Sequence, residues 1–325
     1  MKKYRYLVLI IPIIALFTVS FTLLVNYTKK NMSYIKEDPV KIGASYMTLN
    51  NPFYEVIDEE MRNIVEANGD ILITLDPQLS VDKQIEQINY FIEQKCQVII
   101  INPVDSKRIT DALKKASAKG IKIIAIDTSV YEGNDFIDYT VVSDNYYAGV
   151  LCAKDMINSV DKANIVLLCH EAANSAVDRI NGFLDTIKDL DNYHIVGRYE
   201  CEGQLEQAMP IVEQCIKDRL NFDVIMCLND PSALGAVAAL QDNKMLDKVL
   251  VYGIDGSDEA KVLVNDGYMK ATVAQYPKLM AKRAINTAYS LLESNDKLKE
   301  EKMMVNIITK DNIDEFSLEG WQYYE

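Results

Sequence analysis

From residue 40 onward, the chain alternates short apolar runs with longer stretches of helical periodicity. The runs Val98-Ile99-Ile100-Ile101 and Val224-Ile225-Met226-Cys227-Leu228 are apolar on both faces, which is typical of buried parallel strands. Amphipathic segments separate these runs, and their ends carry helix-stop signals such as Asn68-Gly69 and Lys119-Gly120. This alternation indicates βαβ units and a parallel sheet.

The pattern predicts a set of strands and helices that repeats its rhythm after about residue 143. The predicted strands are 40–46, 70–75, 97–101, 121–126, 139–142, 163–169, 193–199, 222–227, 248–254, 270–274 and 303–308, and the predicted helices are 53–67, 81–95, 105–119, 145–158, 174–189, 204–219, 231–242, 257–266 and 277–293. We therefore predict the α/β class, with two doubly wound parallel-sheet lobes joined by a multi-strand hinge. Lobe 1 is 40–143 plus 276–302, and lobe 2 is 144–275 plus 303–325.

The amino-terminal segment has a different composition. Leu7 to Val25 contains no charge, which is close to the ~20 residues needed to cross a bilayer. Lys2, Lys3 and Arg5 precede it and favour a cytoplasmic amino end. We predict one transmembrane helix, an uncleaved signal-anchor at 1–27, followed by a tether at 28–39 and an extracytoplasmic body. Cleavage near residue 30, which would release the body to the periplasm, is the alternative.

Charge and cysteine spacing exclude several function classes. Residues 1–39 hold six Lys/Arg and two Asp/Glu, so the remaining 28 basic and 46 acidic residues give the body a charge of −18. Such a body repels nucleic-acid phosphates, and no nucleic-acid partner is expected. No G-x-x-x-x-G-K-[ST] or post-strand G-x-G-x-x-G motif is present, so no nucleotide cofactor is predicted. The six cysteines lack metal-ligand spacing and are expected to be buried small hydrophobes, with disulfides left open.

Polar side chains follow nearly every predicted strand. Amides, carboxylates, a hydroxyl and a guanidinium are placed where the carboxyl ends of parallel strands meet, which is where open α/β sheets bind ligands. Several of them could simply cap helices or shape turns, but capping does not require this variety. Planar groups of this kind bind pairs of adjacent hydroxyls. The residues are Asn102, Asp105, Asp127, Ser143, Arg179, Asn229, Asp230, Asp255 and Gln275.

The segment 48–54 follows the first strand and has the sequence Thr-Leu-Asn-Asn-Pro-Phe-Tyr. Its amide, Asn51, and its rings, Phe53 and Tyr54, would suit a sugar clamp, in which the rings cover C–H faces. The alternative is an Asn-Asn-Pro helix start with aromatic residues that pack locally. From the loop alone, both interpretations remain open.

These motifs in combination resemble the type I periplasmic sugar-binding proteins, the class of ABC transporter substrate-binding proteins that includes ribose-binding protein. The resemblance covers residues 40–308 and is carried by segments 49–54, 101–106, 143–145, 179–183, 229–235, 253–256 and 274–277. It implies two lobes that close on a sugar. The ligand contacts implied by the resemblance fall on Asn51, Phe53, Tyr54, Asn102, Asp127, Ser143, Arg179, Asn229, Asp255 and Gln275.

Three positions depart from the ribose-binding pattern. Asp127 is followed by Thr128 where ribose binders have arginine, and no ring stands near Glu202-Gly203 where they have an aromatic residue. His170-Glu171 occupies a strand end that is usually rich in glycine. These differences keep the class of ligand that the resemblance implies and leave open whether the ligand is ribose itself.

Three functions from different classes are compatible with this sequence to different degrees. The first is a transport receptor that delivers a monosaccharide or small sugar to an ABC permease. The second is a membrane-anchored co-receptor that reports sugar to a membrane sensor kinase, which the predicted anchor favours. The third, an enzyme, is disfavoured because His170 and His194 are the only histidines and no catalytic arrangement is visible. The sequence favours the transport receptor, with no metal and no cofactor.

Overall fold

The computed structural model of the protein describes residues 18–22, 36, 38–294 and 300–321. Among these residues, no helix is both long and apolar enough to cross a membrane. The predicted membrane segment 1–27 and the predicted tether 28–39 lie outside the described residues, apart from 18–22, 36, 38 and 39.

Strands and helices alternate along the described body, as the hydrophobic pattern predicts. The strands are β1 Lys41–Ser45, β2 Ile71–Leu75, β3 Val98–Ile101, β4 Lys122–Ile126, β5 Tyr139–Ser143, β6 Ala163–Cys169, β7 Tyr193–Glu200, β8 Val224–Cys227, β9 Leu250–Asp255, β10 Ala271–Ala274, β11 Glu301–Met303 and β12 Asn306–Thr309. The α-helices are α1 Pro52–Ala67, α2 Val81–Glu93, α3 Thr110–Ser117, α4 Asn145–Ser159, α5 Asn174–Ile187, α6 Leu205–Lys217, α7 Asp230–Asp242, α8 Asp258–Asp266 and α9 Pro277–Glu293.

The strands form two six-stranded sheets, each at the centre of one lobe. The first has the order β11-β5-β4-β3-β1-β2 and is parallel throughout. The second has the order β12-β10-β9-β8-β6-β7 and is parallel except for the β10–β12 pair. The central strands β3 and β8 are buried along their whole length, because helices cover both faces of each sheet. Two parallel-sheet lobes are therefore confirmed.

Within the described residues, the chain passes between the two sheets three times. The crossings lie at 143–145, 274–277 and 303–306. The predicted strand 303–308 is wrong in one respect, because it consists of two short strands, β11 in the first sheet and β12 in the second. This break carries the chain from one lobe to the other.

The predicted helix 105–119 begins later than expected, at Thr110. The Asp105 carboxylate accepts hydrogen bonds from the backbone N–H groups of Lys107 at 2.9 Å and Arg108 at 2.8 Å. Such a side-chain-to-backbone bond stabilises a turn in place of a helix. The polar residues after β3 are therefore held in a loop.

Helices α4 and α5 cross in unusually close contact because each supplies a glycine. A Cβ atom on Gly149 would lie 1.8 Å from the carbonyl oxygen of Arg179, and one on Gly182 would lie 1.9 Å from that of Tyr146. Only glycine permits this approach. The crossing fixes the position of α5, which carries Arg179 toward the cleft between the lobes.

The six cysteines are buried and form no disulfide. This confirms the prediction that they act as small buried hydrophobes. Burial raises the pKa of the Cys96 thiol to about 11 and that of Cys169 to about 12, which makes both unreactive at neutral pH.

Candidate ligand-binding site

A narrow cavity lies between the lobes, at the carboxyl ends of the strands of both sheets. Eight of the ten predicted site residues line it, and Asn102 and Ser143 do not. The lining residues are Met47, Thr48, Asn51, Phe53, Tyr54 and Asp127 from lobe 1, and His170, Ala173, Ser175, Ala176, Arg179, Glu202, Gly203, Gln204, Leu228, Asn229, Asp255 and Gln275 from lobe 2.

The loop after β1 both begins a helix and lines the cavity. The Asn51 side-chain oxygen accepts a hydrogen bond from the backbone N–H of Phe53 at 2.9 Å and so caps α1, while Asn51 also lines the cavity. The rings of Phe53 and Tyr54 meet edge to face, with centroids 5.5 Å apart. The Tyr54 hydroxyl donates to Asp127 Oδ2 at 3.2 Å. The helix start therefore orients the aromatic wall of the cavity.

Asp127 is the buried acid of lobe 1. Its Oδ2 accepts hydrogen bonds from Tyr54, from Thr128 at 3.2 Å and from the Asn102 amide at 3.1 Å, while its Oδ1 has no hydrogen-bond partner. Burial raises its pKa, although the nearby Arg179 opposes the shift. Its φ of +64° is uncommon for a residue other than glycine. Backbone strain of this kind concentrates at functional sites.

Asn102 and Ser143, predicted as ligand contacts, lie outside the cavity lining. Asn102 stands behind Asp127, and its side-chain oxygen accepts from the backbone N–H of Met47 at 2.9 Å. It therefore holds the acid and the first loop in place. Ser143 is buried at the end of β5 beside its neighbour Met303, and its hydroxyl has no hydrogen-bond partner. It lies at a crossing between the lobes.

Arg179 lies between the acids of the two lobes and is 4 % exposed. Its Nε donates to the Asn145 side-chain oxygen at 2.8 Å, and Nη1 donates to the Leu228 carbonyl at 2.9 Å. Its guanidinium nitrogens lie 3.6 Å from Asp255 Oδ1 and 4.0 Å from Asp127 Oδ1. The guanidinium is thus fixed by lobe 2 and partly neutralises an acid from each lobe.

Asp255 is the acid of lobe 2, and it lies close to a second buried acid. Its Oδ1 accepts from the Gln275 amide at 2.7 Å, and its Oδ2 lies 3.4 Å from the backbone N–H of Asp230. Burial, followed by the charge of Asp230, raises the pKa of Asp255 well above its usual value, against the influence of Arg179. Its φ of +150° is a conformation that few residues other than glycine adopt.

Asn229 caps α7 and also faces the cavity. Its side-chain oxygen accepts from the backbone N–H of Ser232 at 3.1 Å, and its amide donates to the Gly203 carbonyl at 3.0 Å. This bond fixes segment 202–204, where ribose binders carry an aromatic residue. Here the wall is formed by Glu202, Gly203 and Gln204. Two of these three residues carry polar side chains, so the cavity wall is polar on this side.

Thr128, the first of the three departures from the ribose-binding pattern, does not line the cavity but joins the lobes. Its hydroxyl lies 2.6 Å from the hydroxyl of Ser175, so one of the two donates to the other. The Asn174 amide also reaches across, donating to the Ser129 carbonyl at 3.1 Å. The backbone N–H of Ser106 donates to the Ala172 carbonyl at 2.9 Å. These bonds form only when the lobes approach one another.

Trp321 reaches across the cleft from the carboxyl-terminal segment. Its ring meets Phe53 edge to face, with centroids 5.4 Å apart and planes at 74°. The fully buried Lys261 holds this segment, because its Nζ donates to the carbonyls of Ser317 at 2.8 Å and Gly320 at 2.7 Å. No sequence pattern indicated that this tryptophan would lie near the cleft.

Three buried polar atoms on the cavity-lining residues have no hydrogen-bond partner. They are Asp127 Oδ1, His170 Nε2 and Gln275 Oε1. A buried polar atom without a partner costs about 1–3 kcal/mol, so a ligand that supplies donors would recover that free energy. Residues 18–22, 36, 38–294 and 300–321 contain no group of three His, Cys, Asp or Glu side chains that could hold a metal ion.

Two parallel-sheet lobes, three crossings and a polar cavity between the strand ends define a two-lobed solute-binding protein. A family model described as "Periplasmic binding protein domain" matches residues 42–296. The match spans most of the chain, and the protein belongs to this family. The resemblance identified from the sequence is thereby confirmed.

Individual relatives bind sugars and polyols. The ribose import binding protein of Bacillus subtilis is 29% identical over 253 residues, which are 77% of this chain and 81% of that protein. The D-apiose import binding protein of Paraburkholderia graminis is 28% identical over 276 residues, or 83% and 88% of the two chains. The myo-inositol binding protein of Caulobacter, solved with myo-inositol, has a TM-score of 0.81 at 26% identity and covers 87% and 97%. The prediction of a binding protein, not an enzyme, is confirmed by these relatives.

Proposed function

We propose that this protein binds a neutral monosaccharide or small polyol in the interlobe cavity and closes on it. The observation that carries the proposal is the set of unpaired acceptors on Asp127, His170 and Gln275. All three accept hydrogen bonds, and hydroxyl groups donate them. A molecule with several hydroxyls can supply the donors that these atoms lack.

The charges around the cavity favour a neutral ligand. Arg179 lies within 4.0 Å of both Asp127 and Asp255, so the single guanidinium is already shared between two carboxyl groups. An anionic ligand would have to compete with those acids in a buried setting, where repulsion between like charges is strong. The rings of Phe53 and Tyr54 would cover the C–H face of a sugar ring. Polar edges and an apolar face are the two surfaces that a pyranose or furanose presents.

We further propose that closure couples the two halves of the site. Asn51, Phe53, Tyr54 and Asp127 belong to lobe 1, whereas Arg179 and the remaining contacts belong to lobe 2. A ligand that meets one lobe first gains the other contacts only when the lobes approach, so it shifts the equilibrium toward the closed form. The proposed lobe boundaries are 40–143 plus 276–302 and 144–275 plus 303–325, with Asn102 and Ser143 acting behind the site.

Delivery of the ligand to an ABC sugar permease is the cellular role that we propose. The names of the ribose and D-apiose import binding proteins support it. We place the body on the extracytoplasmic side, anchored by the amino-terminal segment 1–27. The uncharged run from Leu7 to Val25 supports the anchor, and it also favours a second candidate, a co-receptor for a membrane sensor kinase. Binding to a reconstituted permease or to a kinase separates the two.

A thermal-shift screen of the full-length chain tests the proposed function. The screen would use D-ribose, D-apiose, D-allose, D-fucose and myo-inositol in a detergent without a sugar headgroup, after unfolding and refolding to remove carried-over ligand. A ligand at 100 times its Kd stabilises the folded state by about 2.7 kcal/mol. Sugar phosphates and amino sugars serve as charged controls. No shift with any neutral sugar or polyol would refute the proposal.

A further inference from the structure

The proposed sugar site contains a histidine that no sequence pattern assigned to it. His170 follows β6 directly, lines the cavity and is 8 % exposed. It stands at a position where the sequence departs from the glycine-rich pattern of the sugar-binding proteins. A buried histidine in a ligand cavity is either a packing residue or a ligand contact. The two roles differ in whether both ring nitrogens already have hydrogen-bond partners within the protein.

The Nδ1 atom of His170 already has a hydrogen-bond partner within the protein. It lies 2.9 Å from Glu200 Oε1, and Glu200 stands beside the end of β6 on the neighbouring strand β7. The same carboxylate accepts hydrogen bonds from the backbone N–H groups of Glu171 at 2.8 Å and Glu202 at 3.1 Å. Burial opposes ionisation of Glu200, but these bonds and His170 outweigh it and lower its pKa. An ionised carboxylate only accepts, so Nδ1 carries the proton.

The Nε2 atom is free. It is buried and has no hydrogen-bond partner. In a neutral imidazole whose Nδ1 is protonated, Nε2 is an acceptor. Glu200 does not line the cavity, and it reaches the site through the His170 ring and through the backbone N–H of Glu202. The pair is arranged like the histidine–carboxylate pairs that orient a ring and set its tautomer.

We propose that His170 determines specificity by accepting a hydrogen bond at Nε2 from one hydroxyl of the bound sugar, and that Glu200 is the residue that positions it. This inference rests on the proposed function. It requires that the sugar carry a donor at one defined ring position. An analogue without that hydroxyl leaves Nε2 buried and unpaired.

The test compares His170→Phe with the wild-type full-length chain. The probe is the member of the D-ribose, D-apiose, D-allose, D-fucose and myo-inositol panel that binds the wild type most tightly, together with its monodeoxy analogues. We expect His170→Phe to weaken binding of the parent sugar about tenfold, with one deoxy analogue bound equally by both proteins. Equal weakening for the parent and every analogue, or none, would overturn the inference while leaving the proposed function intact.

Glu200→Gln tests the positioning role. An amide can donate to Nδ1 and so move the ring proton to Nε2, which reverses the polarity that the ligand meets. We expect this variant to weaken the parent sugar about tenfold as well, and the His170→Phe/Glu200→Gln double variant to be no weaker than either single one. Glu171→Gln, which alters an exposed carboxylate paired with Arg198, is the matched control and should bind normally.

Nitrogen NMR provides a readout that does not depend on either variant folding. The chain has two histidines, so the imidazole spectrum is simple to assign. We expect His170 to show the tautomer protonated at Nδ1 in the free protein, and its Nε2 resonance to shift when the parent sugar binds. A tautomer protonated at Nε2, or no shift on binding, would overturn the inference. Failure of every sugar to bind the wild type would overturn the proposed function and the inference together.

Discussion

Replacement of Asp255 by asparagine should weaken ligand binding and stabilise the ligand-free protein at the same time. Asp255 is 3 % exposed and lies between Arg179, Gln275 and the backbone of Asp230. Asparagine keeps the shape and the acceptor for Gln275 but removes the charge. A ligand hydrogen bond to a charged group contributes about 1.5–3 kcal/mol. Since 1.4 kcal/mol is a factor of ten, Asp255→Asn should weaken binding about 10- to 150-fold.

The stability effect follows from the raised pKa of Asp255. A group whose pKa is higher in the folded state than in the unfolded state stabilises the fold fully below the unfolded pKa, and this stabilisation is lost as the pH rises through the folded pKa. At neutral pH, the Asp255 carboxyl group therefore lowers the free energy of unfolding, and asparagine removes this destabilisation. The melting temperature of Asp255→Asn should match that of wild type near pH 4 and exceed it increasingly as the pH rises.

Two measurements check this prediction. Calorimetric titration with the parent sugar gives the affinity, and thermal unfolding from pH 4 to pH 8 without ligand gives the stability. Asp185→Asn is the control, because Asp185 is a half-exposed carboxylate on α5, the helix that carries Arg179. If Asp255→Asn binds the ligand within twofold of wild type, Asp255 does not contact the ligand. A variant less stable than wild type at pH 7 would refute the electrostatic reasoning.

Three further predictions concern closure and packing. Trp321, the only tryptophan in the chain, contacts Phe53 across the cleft, so its fluorescence should change when the ligand binds. The Trp321→Phe variant should bind the ligand without that fluorescence change. An unchanged wild-type spectrum at saturating ligand would contradict the contact. Asn174→Ala removes hydrogen bonds between the lobes and should weaken ligand binding about three- to tenfold. Its melting temperature should stay within about 2 °C of wild type, and small-angle scattering should show a more open ligand-free protein. Equal affinity would show that these bonds do not favour closure. Gly149→Ala should lower the free energy of unfolding by more than about 2 kcal/mol in denaturant, because its Cβ would meet the backbone of the neighbouring helix. The control Gly120→Ala has no atom within 4 Å of its Cβ. It should lower the free energy of unfolding by less, despite its strained φ.

The fold and part of the cavity wall could be predicted from the sequence because of one geometric rule. Parallel strands place their carboxyl ends along one edge of a sheet, so residues far apart in the chain, such as Asp127, Asn229 and Asp255, meet there. The hydrophobic runs located the strands, and the next polar residues followed. Asn51 shows why two local interpretations need not compete, because one side chain caps the helix and lines the cavity.

The rest depends on backbone angles and tertiary packing that no local pattern reports. Asn102 and Asp127 both follow strands, but the positive φ of Asp127 turns it into the cavity while Asn102 remains behind it. His170 enters the site because Glu200, on the neighbouring strand, holds its ring. Trp321 is brought to the cleft by Lys261, on a distant helix. These contacts join residues that are far apart in the chain, and no local sequence pattern predicts them.

Isothermal titration calorimetry of the refolded full-length chain tests most directly whether the protein binds a neutral sugar or polyol. The titrants are the neutral sugars and polyols of the panel, with D-ribose 5-phosphate and glucosamine as charged counterparts. We expect at least one neutral compound to bind with one-to-one stoichiometry. Asp255→Asn should bind it at least tenfold more weakly, whereas Asp185→Asn should bind it normally. Binding of the charged compounds alone, or of none of the panel, would contradict this expectation.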